Sequence, residues 1–223
     1  MTFARTTRRF ASASPNTATP AAATIAAGER GVRACALAIL EQHKTLLCAI
    51  DDATYTFPSP LLQASVGQHT RHSLDHLRKP IDTLLETVAA NDGVFAGDDE
   101  VVIRYDLRQR NTIIEHDRAA AIDQIERLQR SITALDDSVL RQRLRAAFML
   151  SADSQEFAFE STLSREVAFA VHHYIHHNAL SKVLLRHHFP ALELPSGFGM
   201  APSTSNFNNN NSSNANSSAS SAT

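Results

Sequence analysis

The chain has 223 residues, 21 of them basic and 23 acidic, for a formal net charge of −2, and 43% are hydrophobic. A near-neutral balance with no basic block excludes the concentrated positive footprint of a nucleic-acid binder. No apolar run approaches the roughly 20 residues that span a bilayer. With 7 glycines and no G-x-G-x-x-G or G-x-x-x-x-G-K pattern, the chain has no glycine-rich phosphate cradle. What it does have is 11 histidines, and they are clustered.

The first 28 residues hold no Asp or Glu but carry Arg5, Arg8, Arg9 and many Ser, Thr and Ala. This is the composition of an organelle-targeting presequence, and Arg8-Arg9-Phe10-Ala11-Ser12 resembles the cleavage sites of mitochondrial presequences. Residues 1–29 are therefore expected to be a mitochondrial presequence or, in a cytoplasmic protein, an ordinary disordered N-terminus. Val32, Cys35, Ile39, His43, Leu46 and Ile50 recur at helical spacing and predict a first helix over 30–50. Cys35 and Cys48 lie about 20 Å apart on that helix, too far for a disulfide, and read as two reduced, buried thiols.

Asp51 to Pro60 reads as a loop. A second helix is predicted over 64–90, with the stripe Leu74, Leu77, Ile81, Leu84 and Val88, and Pro80 should kink or divide it. Asn91 to Glu100 reads as a loop, and Val101 to Ile103 as a short strand or an extended segment. Thr112 and Glu115 fit a capping box ahead of a third helix striped by Ile122, Ile125, Leu128, Ile132 and Leu135. The apolar runs 145–150 and 156–161, separated by Ser151 to Ser154, predict a β-hairpin. A last helix starts at Ser161 or Thr162 and stops before Pro190. The fold class expected is mainly α, a four-helix bundle with a small β-hairpin insertion before the last helix, over residues 30–190. Residues 191–223 end in an uncharged Ser/Asn tract and are expected to be a disordered tail.

On the second helix His69, His72 and His76 share one face, nearly opposite the leucine stripe. On the last helix His172 and His176 are one turn apart, and so are His173 and His177. An H-x-x-x-H pair aims two imidazoles at one point, which is half of a metal site. A third imidazole from another helix completes a three-histidine face with positions open to water or substrate. The opposing reading is a set of solvated or core-edge histidines.

These residues also resemble a family. Ser65-Val66-Gly67-Gln68-His69-Thr70-Arg71-His72-Ser73-Leu74-Asp75-His76 resembles the helix-two motif of the DinB/YfiT-like superfamily. Ser164-Arg165-Glu166 through Phe169 to His173-Tyr174-Ile175-His176-His177 resembles its last-helix motif, and Tyr105 to Arg110 with Ile114 to Asp117 a middle motif. The resemblance implies a DinB-like bundle holding a divalent metal (Zn, Ni, Mn or Fe) on His72, His173 and His177. It implies a metal-dependent hydrolase or thiol-dependent transferase acting on a small-molecule substrate, in a family whose members are often homodimers; the charge balance and the lack of a long apolar run are what argue against a nucleic-acid or membrane partner. Gln68 departs from the pattern where an aromatic residue is common, so no particular substrate is carried over.

Further candidates surround this set. Glu166 lies two turns from His173 on the same face and is a candidate to orient a ligand or serve as catalytic base; the alternative is a carboxylate favoured by the helix N-terminus. Asp75 is a candidate to orient His72, or a solvated helix-face carboxylate; Arg108 and Arg110 to clamp an anion, or to serve in structural ion pairs or on the surface; and His43 to add a polar group, or to be a buried, hydrogen-bonded histidine. Two other functions stay open: a non-catalytic metal-binding or dimerisation module of the same fold, and a helical haem binder.

Overall fold

A computed structural model describes residues 20–90, 101–107 and 109–208. The expected loop 91–100, Arg108, the arginines of the expected presequence and the Asn run beyond 208 lie outside the described residues. The protein is mainly helical with one small sheet. Its elements are α1 (Pro20–Ala49), α2 (Asp52–Thr56), α3 (Val66–Ala90), β1 (Val102–Arg104), α4 (Ile113–His116), α5 (Arg118–Ala134), β2 (Arg143–Met149), β3 (Glu156–Thr162) and α6 (Leu163–His188). Helix α1 packs on α5 and α6, and α3 on α5 and α6. Among the described residues no helix is long and apolar enough to cross a membrane.

Helix α1 begins at Pro20, ten residues before the expected start, so part of the segment expected as disordered or presequence is helical. Its buried face is Ala36, Ile39, Leu40, His43, Leu46 and Leu47, continued by Ile50 just past its end. Cys35 and Cys48 lie on the other side and are exposed, which corrects their expected burial. The physical reason is the alternative stripe offered by Ala36, Leu40 and Leu47, which keeps larger or better-fitting apolar groups inside.

Helix α3 runs unbroken through Pro80. It starts with a reciprocal cap: Gln68 N donates to Ser65 Oγ, and Gln68 Oε1 accepts from Ser65 N. Helix α3 packs against α2, α4, α5, α6 and β1, so it is covered on several sides.

The capping box expected at Thr112 and Glu115 does not form. Thr112 makes no side-chain cap bond, and the segment breaks into the short α4 followed by α5, whose cap is Asp117, accepting from Ala120 N at 3.0 Å. Glu115 is buried and its Oε1 instead accepts from Arg71 Nε and Asn111 N, each at 2.9 Å. A buried arginine needs a carboxylate more than a helix end needs a second cap.

Strands β2 and β3 form the expected antiparallel hairpin, with Ala147 opposite Ala158, and β1 joins β2 in parallel, giving the order β1-β2-β3. Tyr105 N donates to Ala147 O just past β1, which sets Tyr105 and Phe148 side by side. Thr162 caps α6 by accepting from Arg165 N.

The chain beyond α6 is not the unstructured tail expected from 191. Phe198 is 0% exposed in the hydrophobic core, and residues 202–208 are helical. Gly199 has φ +63°, and a Cβ there would sit 2.7 Å from the Asn178 carbonyl, so glycine lets the chain pass close over α6.

Candidate metal centre

Helices α3 and α6 place histidines face to face. His173 Nε2 lies 3.0 Å from His72 Nε2 and 3.1 Å from His177 Nε2. Each of these residues offers one ligand atom, and the three atoms lie within 4.8 Å of one another. Among the described residues this group contains no carboxylate and no thiol. His69 Nδ1 sits 2.9 Å from His177 Nδ1. The pairs His72–His173 and His69–His177 descend one helix while climbing the other, one turn per step.

The histidine face of α3 is not solvated, although it lies nearly opposite the leucine stripe. His69 is 9% and His76 8% exposed. A helix covered by neighbours on several sides buries polar residues along with apolar ones. His72, His173 and His177 are half-buried, while His172 and His176 are exposed.

Aromatic rings from the sheet wall the site. The His76 ring stacks on Tyr105 at 5.0 Å and 15°, Tyr105 stacks on Phe148 at 4.9 Å, and the His76 ring centroid is 4.1 Å from that of His173. Phe169, one turn before His173, completes this wall and carries the Arg165 guanidinium over its face.

Glu166 stands outside the imidazole group. It is 0% exposed, and its carboxylate accepts from Tyr105 Oη at 2.9 Å, Ser161 Oγ at 2.5 Å and Arg165 Nη1 at 2.7 Å. Both oxygens are thus engaged, and the link from Glu166 to the histidines runs through Tyr105 and His76. Asp75 accepts from Arg71 Nη1 at 3.2 Å, so its charge is used by an arginine. Arg110 is exposed.

His43 is buried one layer behind the site. Its Nδ1 is 2.8 Å from Asn178 Oδ1 and its Nε2 2.9 Å from Thr70 Oγ1. Thr70 follows His69 and Asn178 follows His177, so this α1 side chain fixes α3 and α6 at the positions next to two site histidines. Burial pulls the His43 imidazole down to about 4, partly offset by the bond to Asn178.

The donor set fits a cation. A neutral imidazole nitrogen has one in-plane position, either N–H or lone pair, so His173 Nε2 cannot serve both neighbours with aligned hydrogen bonds. Three nitrogens about 2.0–2.1 Å from one tetrahedral ion would stand about 3.3 Å apart, close to the spacings above. Burial, then the neighbouring imidazoles His72, His173, His69 and His176, hold the His177 pKa at about 2. His69 is lowered as well, by burial first and then by His176. Neutral imidazole is the form that binds metal.

Sequence reasoning missed Thr70, Asn178, Tyr105 and Phe148 as positioning residues.

No family model matches the chain, and no solved structure matches it. The chain is 36% identical over 104 residues, 46% of its length, to FK506-binding protein 5 of Rhizopus delemar. That stretch is 26% of the relative, so the chain spans about a quarter of the protein it matches. The ligand in that name belongs to that protein. These findings overturn the resemblance to the DinB/YfiT-like superfamily. Its motifs here are short histidine-bearing segments, and helical periodicity alone puts His at i and i+4 on one face of any helix. The metal site rests on geometry alone.

Proposed function

We propose that His72, His173 and His177 hold one divalent transition metal, Zn, Ni, Mn or Fe, and that this centre acts on a small-molecule substrate. The observation that carries the reading is the convergence of three imidazole Nε2 atoms at 3.0 and 3.1 Å with no acid among them. Three neutral ligands leave the ion its full charge and at least one open position. A metal so bound lowers the pKa of its water towards about 7 and polarises a bound carbonyl, which makes hydrolysis the reaction class that fits best.

In this reading Glu166 is a positioning residue. Three donors hold its carboxylate in place, and it holds Tyr105 against His76. Packing of α1 on α5 and α6, and of α3 on the same two helices, supports reading the helical core as a four-helix bundle with the site between α3 and α6.

Elemental analysis of protein purified from metal-supplemented medium tests the assignment. The expected result is about one metal per chain, reduced to background in His173→Ala. Equal metal in parent and variant refutes the ligand set. Full metal content with no exchangeable water on the ion, read by relaxation of Mn(II)-loaded protein, selects the non-catalytic module instead.

A further inference from the structure

An imidazole that ligates through Nε2 keeps that lone pair free, so its proton sits on Nδ1. His177 presents Nε2 to the convergent group and Nδ1 to His69 Nδ1, 2.9 Å away. Two ring nitrogens at that distance share a single proton. With His177 as donor, His69 Nδ1 is the acceptor and the His69 proton moves to Nε2. That Nε2 is buried and has no hydrogen-bond partner among the described residues, in a side chain whose residue is 9% exposed.

We propose that His69 is the positioning residue of this centre. Its Nδ1 accepts from His177 Nδ1–H, holds His177 in the ligating tautomer and ring orientation, and leaves His69 Nε2–H as a buried donor for an acceptor atom on a bound ligand. The inference rests on His72, His173 and His177 being the ligand set. Ligating histidines usually give this proton to a carboxylate or a backbone carbonyl. A neutral imidazole acceptor adds no negative charge, so the ion stays more electrophilic than it would beside an acid. The buried Nε2–H is a donor without an acceptor, a feature native structures rarely leave unanswered. The ligand class it selects is one with an oxygen acceptor, such as a carbonyl or carboxylate.

Cobalt(II) titration of the full chain, followed by visible absorption and chelator competition, tests this. His69→Ala should weaken Co(II) binding about 10- to 100-fold while the bands of a three-imidazole site persist. His69→Asn, whose amide oxygen takes the place of Nδ1 as acceptor, should restore binding to within about threefold of the parent. Unchanged affinity in His69→Ala, or an Asn variant as weak as Ala, overturns the proposal. In Zn(II)-loaded protein, long-range proton–nitrogen correlations should place the His177 proton on Nδ1 and the His69 proton on Nε2; the reverse on either ring also overturns it. Failure of the underlying ligand set shows up separately, as a parent that takes up no Co(II) or a His173→Ala variant that takes up as much as the parent.

Discussion

His43 shows how one buried side chain governs both the site and the pH response. Each of its ring nitrogens has one buried partner, Asn178 Oδ1 for Nδ1 and Thr70 Oγ1 for Nε2. In the unfolded chain it titrates at the ordinary histidine value of 6.5, and in the folded protein at about 4. Above 6.5 both states are neutral there and the contribution is fully present. As pH falls from 6.5 towards 4 the unfolded chain takes up a proton that the folded one refuses, so stability declines. Over the whole window the loss is on the order of 3 kcal/mol. Urea unfolding of chelator-treated protein should therefore lose stability between pH 6.5 and 4, and His43→Gln should remove part of that slope. An identical slope in the variant would place the pH response elsewhere.

Among the elements, α3 carries the most constraints. The Ser65–Gln68 cap fixes where it starts, Arg71 bonds Glu115 of α4, and His69 and His72 meet α6. Gly67 sits where α3 crosses α4, and a Cβ there would overlap the Glu115 carbonyl oxygen. Helix propensity alone favours Gly67→Ala by about 1 kcal/mol. Overpacking against a backbone atom costs about 1–3 kcal/mol, and a carbonyl held in a helix cannot swing aside as a flexible side chain would. The steric effect should win, so thermal unfolding of Gly67→Ala should occur at lower temperature than in the parent. A higher melting temperature would mean that α4 yields freely. Much of α3 was readable in advance: its length and its leucine stripe follow from period alone. The burial of its histidine face was not, because a second covered face depends on what the rest of the chain packs against it.

Taken as a whole, the molecule closes its core with a segment whose composition reads as tail. Phe198 is fully buried in the same cluster as α1 and α6 residues, and Gly199 passes over Asn178, beside His177. Phe207, in the helical segment 202–208, is 65% exposed. Phe198→Ala should therefore cost about 3–5 kcal/mol by the usual penalty for a large buried cavity. Phe207→Ala should stay within about 0.5 kcal/mol of the parent. Chemical denaturation of the two variants makes the comparison, and equal effects would show that the 191–200 segment does not belong to the core. The hairpin serves the molecule similarly: it carries Phe148, whose ring backs Tyr105 and Phe169, and Tyr105 in turn stacks on His76.

Local signals in the chain determined the helices, the hairpin and the H-x-x-x-H pairs, because period, caps and turn residues act over a few positions. They left open which imidazoles meet, since His69, His72 and His76 share one face and both pairs on α6 have equal spacing. Only the tertiary structure decided that, by fixing the rotation of α3 against α6 through His43, Thr70, Asn178 and the Arg71–Glu115 pair. It likewise decided that Cys35 faces outward, that Glu115 serves an arginine instead of a cap, and that Phe198 enters the core. Each of these is a choice between partners far apart in the chain, and the burial of charge and apolar surface that settles such a choice has no counterpart in local sequence.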